Sequence, residues 1–314
     1  MFFDKVKNTP ISGQDTYQAG AYMQVKFKQV DVFANTSFKG NPVAVVLDAT
    51  GLTESQMQGI ANWTNVSETT FVSAATDPAA DYKIKIFTPS SELPFAGHPT
   101  IGTAHALIEA GIVQPKNGWI TQQCEVGLIP IRVERESNGP ARIFFELPKA
   151  EFTELSAEEI QRVQDILGTP ALSAITPRFV NVGPIHTVVQ LPTAQDVLAL
   201  TPKLDDLHRF SKEHGTAGIV VFGAQESGEE SAIEARSFFP ILGINEDPVC
   251  GSGNGAIAAF IAETQQTNVF GNHFSSSQGR VLGREGKIAL RISPDSRIQV
   301  GGESVTTIDG LIST

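Results

Sequence analysis

The sequence predicts an α+β fold built from two related domains. Its 314 residues exceed the usual size of one hydrophobic core, which favours two domains. Short apolar strands alternate with a few helices along the chain. An internal echo relates residues 92–107 (ELPFAGHPTIGTAHAL) to residues 246–261 (EDPVCGSGNGAIAAFI). The echo indicates two copies of one α+β unit, with chance recurrence of Gly- and Pro-rich loops as the alternative.

The echo is defined by residues at matching positions. Glu92 aligns with Glu246, Pro94 with Pro248, Gly97 with Gly251 and Ala104 with Ala258, and upstream Phe87 and Pro89 echo Phe238 and Pro240. A weaker echo relates residues 40–43 (GNPV) to residues 183–186 (GPIH). We therefore expect an N-terminal extension at residues 1–22, a first domain at 23–140 and a second at 141–298. The boundary falls at a polar turn, residues 136–140, and the C-terminal strand 299–314 is a candidate to complete the first domain.

Strands are predicted where apolar residues alternate or run continuously. Residues at every second position share one face of a strand, and this pattern predicts two strands. The first carries Tyr82, Ile84, Ile86 and Thr88 on one face, and the second carries Ile288, Leu290 and Ile292. Residues 43–47 and 218–222 are continuous apolar runs, which are typical of strands buried on both faces.

Helices are predicted from their capping signals and from their apolar faces. Thr53 with Gln56 and Ser156 with Glu159 have the spacing of capping boxes, and Gly168 ends the second of these helices. The stretches 101–108 and 256–262 predict two further helices. The second is apolar on nearly all sides and should be buried.

Composition excludes several classes of protein. A formal net charge of -11 argues against a nucleic-acid partner, which needs a basic surface. Two cysteines, Cys124 and Cys250, are too few for a disulfide framework. No apolar run approaches the roughly 20 residues that span a bilayer. Residues 1–22 lack the pattern of a secretory signal, so we expect a cytoplasmic protein.

Each strong echo loop leads into a buried helix, and that junction is a candidate ligand site. Helix starts present unpaired N–H groups and a partial positive charge. Gly97, Gly251 and Gly253 would let a ligand approach the backbone closely. Two such starts facing across a cleft would hold a carboxylate without an arginine. The alternative is that the glycines only permit tight turns.

Four side chains near these loops are candidates for proton transfer or substrate binding. His98 lies at a helix start, which favours the neutral imidazole. Asp247 would either cap the second helix or orient a polar substrate group. Glu68 is either an exposed turn residue or a half-buried carboxyl with a raised pKa, suited to general acid–base catalysis. A helix start is expected to lower the pKa of the Cys250 thiol, whereas Cys124 is expected in the core.

Cofactor signatures are not evident in the sequence. The six histidines show neither metal-ligand spacing nor clustered carboxylates. The chain contains no dinucleotide fingerprint after a strand and no P-loop, so we expect neither a metal nor a coenzyme.

Taken together, these segments resemble the phenazine-biosynthesis PhzF-like family, which shares the diaminopimelate epimerase fold. The resemblance rests on residues 30–33 (VDVF), 40–45 (GNPVAV), 67–69 (SET), 92–100 (ELPFAGHPT), 246–248 (EDP), 278–280 (QGR) and 283–284 (GR). It implies two pseudo-twofold-related domains, each a curved mixed sheet around a central helix, with the site between them. It also implies a homodimeric, metal- and coenzyme-free isomerase that shifts a proton on a small cyclic or amino carboxylic acid.

The resemblance also implies residue roles. Glu68 matches the family's catalytic glutamate, while His98 and Asp247 match residues that anchor and polarise the substrate. The candidate substrate-binding residues are Gly97, Thr100, Gly251, Ser252, Gly253 and Asn254.

This sequence departs from the family where residues 250–254 read CGSGN instead of the common TGSAH. The departure leaves the substrate open. Cys250 is an alternative base for an amino-acid epimerase or racemase, although Ala96 offers no second cysteine. A non-catalytic protein that binds a metabolite or a partner is the third possibility.

Overall fold

A computed structural model describes residues 23–135, 139–171 and 174–314. The predicted N-terminal extension, residues 1–22, and the first half of the predicted polar turn lie outside the described residues. Seven α-helices and one 18-stranded mixed sheet make up this part of the chain. None of the helices within it is long and apolar enough to cross a membrane.

The described residues of the N-terminal half form eight strands and two helices. They are β1 (Gln24–Val32), β2 (Asn41–Val46), α1 (Glu54–Thr64), β3 (Glu68–Ser73), β4 (Tyr82–Phe87), β5 (Glu92–Leu93), α2 (Gly97–Glu109), β6 (Trp119–Cys124), β7 (Gly127–Arg135) and β8 (Ala141–Glu146).

In the C-terminal half, the residues that the structure describes form ten strands and five helices. They are β9 (Glu151–Glu154), α3 (Ala157–Leu167), β10 (Arg178–Asn181), β11 (Ile185–Thr193), α4 (Ala194–Ala199), α5 (Leu204–His214), β12 (Gly218–Ala224), β13 (Ile233–Phe239), β14 (Ile244–Asp247), α6 (Gly251–Glu263), α7 (Thr267–Phe270), β15 (His273–Gln278), β16 (Gly286–Ile292), β17 (Ile298–Gly302) and β18 (Ser304–Ser313).

The strands of the two halves pair in the same pattern. In the first half, β1–β2 is antiparallel, β2–β3 parallel, β3–β4 and β4–β5 antiparallel, β4–β6 parallel, and β6–β7 and β7–β8 antiparallel. Strands β10 to β17 repeat this order pair by pair. Helices α2 and α6 occupy equivalent places between the fifth and sixth strands of each run, where the sequence echo lies.

Strands that follow each run cross to the other half. β9, which follows β8, pairs with β10, and β18, which follows β17, pairs with β1. β8 and β17 pair with each other and join the two runs. The segment 299–314 therefore contributes to two strands, of which only β18 pairs with β1. The exact domain boundaries stay a prediction.

The predicted helix caps form as expected. Thr53 and Gln56 make a reciprocal capping box at α1, and Ser156 and Glu159 make another at α3. Gly168 ends α3 in the left-handed conformation, with φ of 70°, which glycine adopts without steric cost.

Helices α2 and α6 begin earlier than the apolar runs alone predicted, at Gly97 and Gly251. The first turn of a helix leaves its N–H groups unpaired, so Pro99 is tolerated there. Further along α6 the space at Gly255 is filled by a neighbour, because a Cβ there would lie 2.1 Å from Leu147 Cδ1 and the leucine would have to shift. Most residues of α2 and α6 are buried in the largest hydrophobic cluster, as predicted for α6.

Candidate active site

Glu68 and His98 form a buried pair at the start of α2. Glu68 is the first residue of β3 and His98 the second residue of α2. Glu68 Oε2 lies 3.3 Å from His98 Nε2, and the two side chains are 16% and 9% exposed. The two atoms are not aligned as a hydrogen bond, and neither has another hydrogen-bond partner among the described residues. Such buried, unpartnered atoms are expected where a polar ligand binds.

Burial sets the protonation of this pair. It raises the pKa of Glu68 to about 7, and the nearby Ser67 hydroxyl acts in the opposite direction. It lowers the pKa of His98 to about 4, against the opposing effects of the Asp247 charge and the Pro42 backbone. Near neutral pH the imidazole is therefore neutral, and the Glu68 carboxyl can both take up and release a proton.

Asp247, a residue of the C-terminal half, lies near Glu68 and His98. Its Oδ1 accepts hydrogen bonds of 3.0 Å from Asn41 Nδ2 and from the Val249 backbone N–H. Burial raises the pKa of Asp247 to about 6, while His98 lowers it and Glu68 raises it further. The structure thus places the three side chains predicted to be catalytic close enough to influence one another's charge.

Asn41 is a residue of this cluster that sequence reasoning missed. Its side chain also donates to the Val249 carbonyl oxygen, at 3.0 Å, and so ties β2 to the loop before α6. The only signal was its place in the GNPV segment, because the contact to Asp247 spans 206 residues of sequence.

The prediction of a lowered pKa for the Cys250 thiol was wrong. Cys250 caps α6, and its sulfur accepts a 3.2 Å hydrogen bond from the Gly253 backbone. Burial, helped by the charge of Asp247, nevertheless raises the pKa of the thiol well above its usual value. Desolvation and a nearby carboxylate outweigh the partial positive charge of the helix start.

Ser252 is the partly exposed polar side chain in the first turn of α6. Its Oγ lies 3.5 Å from Cys250 Sγ and 3.1 Å from Nε2 of His186, a buried residue of β11. Sequence reasoning did not single out His186, since it stands at the start of an apolar strand and meets Ser252 only through the fold. The one feature of the sequence that pointed to His186 was its place in the weaker echo, residues 183–186.

The other predicted substrate-binding side chains are bound to protein groups. Thr100 Oγ1 donates to the Ala96 carbonyl oxygen at 2.9 Å and accepts from Gln122 at 3.0 Å. Asn254 Nδ2 donates to the Cys250 carbonyl oxygen at 2.9 Å and to Gln278 Oε1 at 2.7 Å. Both residues are fully buried, so their side chains hold the two helix starts in shape.

The predicted glycines lie in tightly packed places. A Cβ on Gly97 would lie 2.7 Å from the Phe145 ring, and one on Gly253 would lie 2.9 Å from Ser237 Oγ. A Cβ on Gly251 would lie 3.3 Å from the ring of Phe33. Part of the glycine signal therefore reflects the tight fit of each helix start against the sheet.

A cavity of about 270 Å³ lies away from these residues, between the loop after β1 and strands β15 to β17. Its walls include Phe33, Lys39 and Lys287, whereas Glu68 and Asp247 do not line it. Across the described ranges, no group of three or more His, Cys, Asp or Glu side chains is arranged to hold a metal ion.

The raised pKa of Glu68 predicts a pH-dependent stability. Between about pH 4.5 and 7 the folded chain holds a proton that the unfolded chain releases, so the free energy of unfolding falls as pH rises. Compared with Glu68→Gln, the unmodified chain should lose up to about 1.4 kcal/mol per pH unit across this window. Urea denaturation of both proteins at several pH values measures this, and a difference independent of pH would contradict it.

The chain is similar to known proteins over most of its length. A family model described as phenazine biosynthesis-like protein (PhzC-PhzF) matches residues 30–310. Antisense-enhancing sequence 1 of Schizosaccharomyces pombe is 43% identical over 291 residues, which cover 90% of this chain and 97% of that protein. Trans-2,3-dihydro-3-hydroxyanthranilate isomerase of Pseudomonas chlororaphis is 32% identical over 288 residues, which cover 90% and 97%.

Solved structures share the architecture. A PhzF-family phenazine biosynthesis protein of Bacillus anthracis superposes with a TM-score of 0.82 at 24% identity, covering 92% of this chain and 99% of that one. A probable proline racemase of Agrobacterium radiobacter superposes with a TM-score of 0.62 at 14% identity, covering 92% of each chain. At these identities the likeness concerns the fold, and it confirms the predicted α+β class.

Proposed function

The chain belongs to the phenazine biosynthesis-like family, which includes relatives named as isomerases, and from this premise we propose that it is an isomerase that moves a proton on a small cyclic or amino carboxylic acid without a metal or coenzyme. The observation that carries the proposal is the enclosed Glu68–His98 pair, whose facing atoms have no hydrogen-bond partner among the described residues. A carboxyl whose pKa lies near neutrality suits a group that must both accept and return a proton.

The proposed mechanism has one acid–base group. Ionised Glu68 takes a proton from an acidic C–H, the electron pair of that bond shifts a double bond along the ring, and Glu68 returns the proton to another carbon on the same face. The neutral ring of His98 binds a polar substrate group, and Asp247, held by Asn41, orients a substrate amine or hydroxyl. The first N–H groups of α2 and α6 supply donors for the carboxylate.

The relatives and the local departure in sequence support the substrate class that we propose. The Pseudomonas chlororaphis relative is named for isomerising a dihydro-hydroxyanthranilate, a cyclic amino carboxylic acid. This chain differs from the common family pattern at residues 250–254, so we propose the same chemical class with a different ring substituent. We also propose a cytoplasmic homodimer, as the family resemblance implies; light scattering would test the dimer.

Proton NMR in deuterated water tests this function directly. We expect one member of a panel of cyclic and amino-substituted carboxylic acids to show movement of a double bond, with deuterium entering at one ring carbon. Turnover should continue in excess chelator. Loss of turnover on metal removal, restored by one metal, would contradict the cofactor-free mechanism.

A non-catalytic role is the second candidate. The observation that favours it is the 43% identical relative, whose name, antisense-enhancing sequence 1, states no chemical activity. Tight binding of a carboxylic acid without turnover, across the same panel, would support that role over the isomerase.

Cys250→Ser separates the isomerase from the epimerase alternative. We expect turnover to change by less than about threefold, because a thiol whose pKa is raised by burial stays protonated near neutral pH and cannot accept a proton, and because serine keeps the helix cap. Steady-state kinetics with the NMR-identified substrate would measure this. A loss of 100-fold or more, on the order expected for a missing general base, together with inversion at one stereocentre would support the epimerase instead.

A further inference from the structure

His186 is a buried histidine beside the candidate site that the proposed mechanism leaves unused. It is the second residue of β11, 1% exposed, and its ring packs 5.4 Å from that of Phe239. Its Nε2 lies 3.1 Å from Ser252 Oγ. Within the described chain, His186 Nδ1 has no hydrogen-bond partner.

This geometry selects one tautomer of the ring. Burial lowers the pKa of His186 to about 4, so the imidazole is neutral and carries a single N–H hydrogen. On Nδ1 that hydrogen would be a buried donor without an acceptor, which is a costly arrangement. On Nε2 it meets the Ser252 oxygen. The favoured tautomer therefore makes His186 the donor and Ser252 Oγ the acceptor.

The direction of this hydrogen bond decides what Ser252 can do. A hydroxyl that accepts from His186 keeps its own hydrogen free for another acceptor. Cys250 Sγ lies 3.5 Å from Ser252 Oγ, and sulfur accepts only weakly. A carboxylate is a much stronger acceptor, since hydrogen bonds to charged groups are roughly twice as strong as neutral ones.

Ser252 is also placed to reach a ligand. It stands at the position in α6 that His98 occupies in α2, one residue after the matched glycines. Its neighbours Gly251 and Gly253 are buried, whereas Ser252 is partly exposed.

We infer that His186 is a positioning residue, which donates from Nε2 to Ser252 and thereby turns the Ser252 hydroxyl hydrogen toward the carboxylate of the substrate. The inference rests on the proposed function, because it takes a carboxylic acid as the ligand. It adds a side-chain donor at the start of α6 to the backbone N–H groups that we propose bind the carboxylate.

Nitrogen NMR of the unmodified protein tests the tautomer without any substitution. We expect the His186 hydrogen on Nε2 at neutral pH. A hydrogen on Nδ1 would overturn the inference, because Ser252 would then donate to the ring and turn away from the ligand.

A double-mutant cycle tests the coupling, with anthranilate as the probe and calorimetry as the measurement. Ser252→Ala and His186→Phe should each weaken anthranilate binding by about 10-fold, and the double variant should be no weaker than either, because both remove one interaction. His186→Gln, which keeps an N–H donor, should recover part of the loss. Thr187→Val, which alters the next buried residue of β11, is the control and should bind normally.

The two proposals fail in different ways. Three results would overturn the role of His186. They are additive losses of affinity in the cycle, normal anthranilate affinity in His186→Phe, and no anthranilate binding by the unmodified chain. Absence of turnover with an intact cycle would instead remove the isomerase function and leave the carboxylate site standing.

Discussion

Glu68→Gln should lower turnover by roughly 10²–10⁴-fold, the range for loss of a general base, while substrate affinity changes by less than about threefold. A carbon acid gives up its proton slowly, so its base must be close, oriented and partly desolvated. Glu68 meets the last condition because it is buried at the start of β3, next to His98. Glutamine keeps the shape and hydrogen-bonding reach but cannot accept the proton.

The matched control is a second buried carboxyl with a raised pKa. Glu234 is fully buried and bonded to Ser277 and Gln225, outside the Glu68–His98 cluster. Glu234→Gln should leave turnover within a factor of about three, since it removes a buried charge without removing the base. Kinetics and deuterium incorporation would be measured for both variants. Normal turnover in Glu68→Gln would refute the mechanism, and equal losses in the two variants would point to a general effect of buried carboxyls.

The sequence predicted the elements whose signals are local. Capping boxes at α1 and α3 depend on residues three positions apart, and both formed. The echo placed α2 and α6 at equivalent points of the fold because duplicated loops keep their spacing. The exact helix starts were missed, since the apolar runs used for the prediction begin only at Ile101 and Ala256, after the Gly-containing first turns.

Features of the site that depend on burial could not be read from sequence. The sign of the pKa shift of Cys250 is set by desolvation and by Asp247, which together exceed the effect of the helix start. His186 and Asn41 act through partners 66 and 206 residues away. Such contacts follow from the pairing of β2 and β11 with the rest of the sheet, which no local pattern specifies.

The duplicated halves also carry the same ion pair in two environments. Lys85 and Arg236 stand two residues before Phe87 and Phe238, which match in the echo. Lys85 pairs with Glu92, and Arg236 pairs with the matching Glu246. Lys85 Nζ lies 3.0 Å from Glu92, with side chains 39% and 26% exposed. Arg236 donates two hydrogen bonds of 2.8 Å to Glu246, and the two side chains are 5% and 12% exposed.

Arg236 has further partners that Lys85 lacks. Its Nη1 donates to the carbonyl oxygens of Val197 and Leu200, at 3.1 and 2.8 Å. The ion pair therefore joins β13, β14 and the end of α4, and Glu246 directly precedes Asp247. The buried pair of Arg236 and Glu246 therefore holds in place the strand β14 that carries Asp247.

Arg236→Met should lower the free energy of unfolding by about 3–5 kcal/mol, because it leaves Glu246 as a buried charge without its partner and frees two buried carbonyl groups. Lys85→Met, the same change at the equivalent and more exposed position, should cost no more than about 1 kcal/mol. Urea denaturation of the two variants beside the unmodified protein measures both. Adding Glu246→Met to Arg236→Met should recover much of the loss, since removing both charges leaves none unpaired. Equal losses for Lys85→Met and Arg236→Met would show that burial does not distinguish the two pairs.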